Sequence, residues 1–177
     1  MDQTTASVVQ QDPVLHPRDI TAVEGLKITA EAATWKDTPY AEIGDRSKKN
    51  VSGDCSGSTY LIFKAAGYPY PYKEAGGFRQ YANLTGRFRE LGPTEKPQDG
   101  DVLSWLARGK FPNHMAIYSN FAPNSPDATT SKVGADGKSH LRKNDMWTAH
   151  RLGVAYSAEK VESFRKGDPP KIFRYQK

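Results

Sequence analysis

Cysteine is nearly missing: Cys55 is the single one in 177 residues, which excludes a disulfide within the chain. No apolar run approaches bilayer-spanning length, which excludes a membrane-spanning helix. Met1–Ser7 has neither the basic start nor the apolar centre of a signal peptide. That leaves action in the cytoplasm, export by another route, or a leader not carried in this sequence. A glycine-rich phosphate loop is also wanting, since Gly76-Gly77 stands alone without a following Lys-Ser/Thr. One cysteine and two histidines could meet at zinc, but no pair has the short spacing of a zinc site and no fourth ligand stands out, so neither a metal nor another cofactor is expected. Nothing singles out a pair among the twenty carboxylates for glycoside hydrolysis.

What the chain does hold suits one polar domain. With 37% hydrophobic residues over this length there is enough to fill a core, and twelve prolines and fifteen glycines imply many loops. The net charge of +5 is dispersed. Its densest spots, Lys48-Lys49 and Arg142-Lys143, lack the interleaved aromatics of a nucleic-acid groove, so no nucleic-acid partner is expected. A solvated basic surface is the simple reading of that charge, and attraction to a polyanion the functional one.

Taken in order, residues 1–19 are polar and read as a loosely held arm, with residues 20–177 forming a single domain. Apolar spacing predicts a helix over Thr29–Trp35, preceded by a second short one and weakened by Gly25. A second helix is expected over Cys55–Ala66, capped by Asp54 and stopped by Gly67, and a third over Ala75–Asn83. Between them, Tyr68-Pro69-Tyr70-Pro71-Tyr72 suits either a groove lining or a rigid surface loop. After Leu91 the period changes. Strands are read at Val102–Leu106, His114–Ser119, Met146–Arg151 and Lys171–Tyr175, with residues 120–145 as a long connection serving as a lid or a tolerated insertion. Helices first and strands afterwards is an α+β order.

The chemistry centres on Cys55. A thiol in the first turn of a helix meets unpaired N–H groups and the positive end of the macrodipole, which favour thiolate. A small buried hydrophobe is the alternative role for a lone cysteine. His16 and His140 read as surface residues, whereas His114 and His150 open and close predicted strands that a meander would set side by side. A thiol, a base and a second imidazole to orient the base form the working set of covalent acyl transfer.

In chain order, Thr38-Pro39-Tyr40 with Gly44, Asp54-Cys55-Ser56-Gly57, Pro97–Val102, His114–Tyr118 and Thr148-Ala149-His150 follow one pattern. It resembles the NlpC-type bacterial cell-wall cysteine peptidases, a papain-like group related to the CHAP amidases. The resemblance implies a papain-like fold in which the nucleophile helix packs on an antiparallel sheet. It further implies hydrolysis of an amide in the peptide stem of peptidoglycan. Cys55 would be nucleophile, His114 general base and then acid, and His150 the orienting third member. The backbone N–H of Cys55 with Tyr40 would hold the oxyanion, and Asp54 and Ser56 would lie against substrate. The same resemblance places the protein, expected as a monomer, in the cell envelope or periplasm or outside the cell. There it would act as a housekeeping hydrolase, or as an antibacterial effector with an immunity or inhibitor protein as partner. The alternatives are a papain-like acyltransferase and a non-enzymatic basic wall-binding module.

Overall fold

The computed structural model describes residues 17–150 and 154–177. His16 and most of the expected arm lie outside the described residues. Arg18 and Asp19, also assigned to that arm, are held: Asp19 bridges Gln176, and Arg18 exchanges backbone hydrogen bonds with Lys177 at 3.2 and 2.9 Å.

Helix α1 (Ala22–Ala33) is one element, not the two short ones expected. A capping box explains its early start: Glu24 N–H donates to Thr21 Oγ1 at 3.2 Å, and Thr21 N–H donates to Glu24 Oε2 at 2.8 Å. Gly25 sits inside this helix because the chain passes it closely; a Cβ there would lie 1.9 Å from the Asp99 carbonyl oxygen. Helix α2 (Cys55–Ala65) begins at the Asp54 cap and runs out before Gly67, whose φ is +91°. It buries Thr59, Ile62 and Phe63, while Tyr60 and Leu61 stay half-buried and Lys64 faces solvent. Helix α3 spans Phe78–Thr85, about three residues later than its apolar pattern suggested.

Strands β1 (Phe88–Glu90), β2 (Val102–Trp105), β3 (His114–Tyr118), β6 (Met146–His150), β7 (Val154–Glu159) and β8 (Lys171–Tyr175) form one antiparallel sheet, in the order β1-β8-β2-β3-β6-β7. Alternation gives the sheet two buried faces. Val102, Met115, Ile117, Trp147 and Phe173 face the helices. On the far side Leu103, Trp105, Ala116 and Met146 lie under Val161 and Phe164 of a short helix α4 (Val161–Phe164). The architecture is the expected α+β order, helices on an antiparallel sheet.

The long connection after β3 is neither structureless nor part of the main sheet. It carries a separate ribbon, β4 (Thr129–Val133) paired with β5 (Ser139–Lys143). The tyrosine-proline loop divides its roles: Tyr68 and Tyr70 are buried in an aromatic cluster with Phe63, Phe78, Phe88 and Tyr175, and Tyr72 turns toward Cys55.

One buried ion pair ties the Pro97–Val102 turn to the last strand. Arg174 grips Asp101 with both arms, Nε to Oδ1 at 2.9 Å and a terminal nitrogen to Oδ2 at 2.8 Å. Burial pushes the Asp101 carboxyl up and the guanidinium opposes that shift. Removing either partner of such a pair leaves an uncompensated buried charge and is strongly destabilising.

Candidate active site

The site is assembled at the start of α2. Asp54 caps it through Oδ1, which accepts from Gly57 N–H at 2.8 Å and from the Ser56 hydroxyl at 3.2 Å. Oδ2 accepts from Gly44 N–H at 2.7 Å, fastening a 3-10 turn (Gly44–Arg46) beside the helix. Gly57 is required by this docking, because a Cβ would meet the Gly44 carbonyl oxygen at 2.0 Å. Gly44 has φ +56°, and a Cβ there would meet the Tyr72 hydroxyl at 2.6 Å. Backbone bonds from Gly53 N–H to Pro39 O (2.9 Å) and from Ala41 N–H to Gly53 O (3.1 Å) bring Tyr40 alongside.

A cavity of about 440 Å³ opens here, lined by Tyr40, Glu42, Gly44, Cys55, Tyr72 and Glu74 among others. Tyr40 is half-buried, its hydroxyl 3.3 Å from Glu42 Oε1. Ser56 is buried and shares a 3.2 Å contact with the Tyr72 hydroxyl. Asp54 and Ser56, both expected against substrate, also line this cavity, but their polar atoms are engaged in the cap. Their visible work is to shape the site.

Cys55 is half-buried, and burial pushes its thiol up to about 11, with the Asp54 carboxylate adding to the shift. Three backbone N–H groups oppose it, those of Met115, Ser56 and Cys55 itself. The helix N-terminus therefore acts in the expected direction and is outweighed by desolvation. The Met115 contact also places the sulfur at the start of β3, one residue from His114.

His114 is buried at 7% exposure. Its Nε2 lies 2.7 Å from Thr148 Oγ1, and that hydroxyl lies 3.2 Å from the Met115 carbonyl oxygen. A hydroxyl has one proton. Given to the carbonyl, it leaves the oxygen to accept from Nε2–H, an arrangement in which the basic nitrogen of the ring is Nδ1. Phe164 stacks on the imidazole at 4.5 Å between centroids, and Trp105 flanks it at 5.7 Å. Burial, followed by His150 and Arg165, pushes His114 down to about 3. Among the described residues no hydrogen bond joins His114 to Cys55.

His150 was read as the residue that orients His114. The structure gives that hydrogen bond to Thr148 instead, while His150 is half-buried with its ring edge-on to Phe164 at 5.2 Å. It stays close enough for its charge to bear on His114. Thr148 belongs to the same Thr148-Ala149-His150 segment, but a threonine in a strand carries no signal until the register with β3 is known. His140 lies far along the chain in β5, exposed, with Asp136 at 2.9 Å. Among the described residues no group of His, Cys, Asp and Glu is arranged to hold a metal ion.

No family model matches the sequence, and no curated protein matches it. Solved structures do. NlpC1 from Trichomonas vaginalis superimposes with a TM-score of 0.58 at 13% identity, over 91% of this chain and 47% of that one. NlpC2 from the same organism gives 0.56 at 12% identity, over 87% and 47%. A Staphylococcus aureus protein described as similar to lipoprotein, NLP/P60 family, gives 0.53 at 19% identity, over 91% and 44%. The chain spans less than half the length of each. At such identities it is the backbone that is shared, and the chain has the papain-like fold of NlpC/P60 proteins.

Proposed function

We propose that this protein is a cysteine peptidase or amidase that hydrolyses an amide in the peptide stem of bacterial peptidoglycan. The observation that carries the reading is the place of Cys55 at the head of α2, its sulfur taking the Met115 N–H one residue after His114, whose Nε2 lies 2.7 Å from Thr148 Oγ1. The substrate class comes from the motif resemblance to NlpC-type cell-wall peptidases, and the fold shared with NlpC/P60 proteins supports it.

In the resting site thiol and imidazole are both neutral near pH 7, since burial raises one pKa and lowers the other. The proton therefore moves as attack occurs. Sγ adds to the amide carbonyl carbon while its proton passes to Nδ1 of His114, and the carbonyl π pair becomes an oxyanion. Backbone N–H groups at the head of α2 stabilise that charge. Collapse breaks the C–N bond, and His114 returns the proton to the leaving amine. Water, deprotonated by His114, then adds to the thioester carbon; the C–S bond breaks, the acid leaves, and the proton returns from His114 to Sγ. This substrate places the protein's action in the envelope or outside the cell. If the wall attacked is another cell's, an immunity protein is the partner implied.

Purified peptidoglycan digested with wild type and with Cys55→Ala, the products identified by mass spectrometry, tests the reading. New amine and carboxylate ends from wild type alone are expected. Equal release by both proteins, or by neither, would overturn it.

A further inference from the structure

The turn between β2 and β3 and the segment that follows α4 enclose a second cavity of about 400 Å³, apart from the one at Cys55. Arg108, Lys110, Arg165 and Lys166 line it, with Asp168 as its only carboxylate among the described residues and Phe111 as its apolar wall. Lys110 and Lys166 are exposed, and among the described residues neither has a carboxylate partner. Arg165 differs from them. Its side chain is only 2% exposed, yet its terminal nitrogens donate to neutral carbonyls, those of Leu106 (3.1 Å) and Pro112. Its guanidinium also lies over Phe111, 5.2 Å from the ring centroid, and its Nε is buried with no hydrogen-bond partner among the described residues. Asp168 stands 3.7 Å from both Arg165 and Arg108, and its Oδ2 makes no hydrogen bond. One loosely held carboxylate thus faces four cations. A buried cation met mainly by carbonyl dipoles is costly, and an anion arriving beside it offsets that cost.

We propose that this cavity is a binding subsite for an oxyanion, a phosphate or carboxylate group, seated beside Arg165 between Lys110 and Lys166. It holds whichever bond Cys55 attacks. Its position still bears on the reaction, because the charge of Arg165 reaches both Cys55 and His114. An anion bound here weakens the positive field on the imidazole just where a proton must be accepted. A phosphodiester chain and a peptide carboxylate are the two sources of such a group.

The test uses isotope-labelled Cys55→Ala protein, so that turnover plays no part. Inorganic phosphate and N-acetylglutamate are titrated separately at constant ionic strength while the Arg165 Nε–H signal and the amides of residues 108–111 are followed by NMR. Saturable shifts with either probe are expected: phosphate alone points to the phosphodiester, N-acetylglutamate alone to the peptide, and both to a general oxyanion site. Lys110→Gln with Lys166→Gln removes two exposed charges without touching the core and should weaken binding about tenfold. Shifts that never saturate, or an affinity unchanged in the double variant, would overturn the proposal.

Discussion

Thr148 places a hydroxyl where the imidazole of His114 needs an acceptor, and that hydroxyl is anchored in turn on Met115 O. A side chain that fixes a tautomer acts on the chemical step more than on substrate binding. Thr148→Val should therefore lower kcat about 10- to 100-fold with KM little changed, within the range for general-base contributions. Thr148→Ser should keep most of the activity, and His150→Ala should keep more than Thr148→Val. Steady-state release of stem peptides measures all three. A larger loss in His150→Ala would return the orienting role to His150. Cys55 and His114 stand out as candidates in the sequence because their chemistry is rare and their order is distinctive. Thr148 does not, because its role exists only through the register that sets it beside His114.

The same imidazole controls acid stability. His114 has a folded pKa of about 3, against an unfolded value near 6.5. The unfolded chain thus binds the extra proton first as pH falls. The contribution of the neutral buried ring is complete above pH 6.5 and lost progressively down to pH 3, up to about 5 kcal/mol in all. Carboxylates such as Asp19, pulled down to about 2 chiefly by its hydrogen bonds to Arg89, also titrate at the acid end, so the comparison must be between variants. Denaturant unfolding of wild type and His114→Gln across this window should show a steeper loss in wild type. Parallel curves would mean that the ring is hydrated.

At the scale of elements, α1 sets two effects against each other. Helix propensity alone says that Gly25→Ala stabilises by about 1 kcal/mol. Packing says the reverse, since the new methyl would sit 1.9 Å from a backbone oxygen of the Asp99 turn. Overpacking wins, and a loss of about 2–4 kcal/mol is expected in urea unfolding. A more stable Gly25→Ala protein would show that α1 and the turn are not in contact. From sequence this glycine weakened the helix; only the neighbouring turn reveals its use. Helix α2 and strands β2, β3, β6 and β8 were readable because cap, period and flanking turns agree. The three-residue β1 is too short to show a period, and β4 and β5 are polar on both faces, with no buried side to write an alternation.

For the whole molecule, the β4–β5 ribbon is an appendage. Asn144 ties its base, donating to Asp127 O at 2.9 Å and to Thr130 Oγ1 at 2.8 Å, and it pairs with no strand of the main sheet. Replacing residues 129–143 with a short glycine-containing turn should change the unfolding free energy by no more than about 1 kcal/mol. A loss of cooperative unfolding would instead make the ribbon part of the core. No pattern in residues 120–145 could have placed it, because an exposed hairpin leaves no hydrophobic trace.

The position of β8 has a consequence in time. Lys171–Tyr175 comes last in the described chain, yet it lies between β1 and β2 in the sheet. A ribosome delivers the chain from the other end. Until those residues emerge, β1 has no neighbour, Asp101 has no guanidinium to grip, and Phe63 and Phe88 lack the ring of Tyr175. Helix α2, with Cys55 at its head, is thus made early but gains its full support only when synthesis has passed Tyr175, so a nascent chain halted before β8 should carry the thiol without the packing that sets it in place.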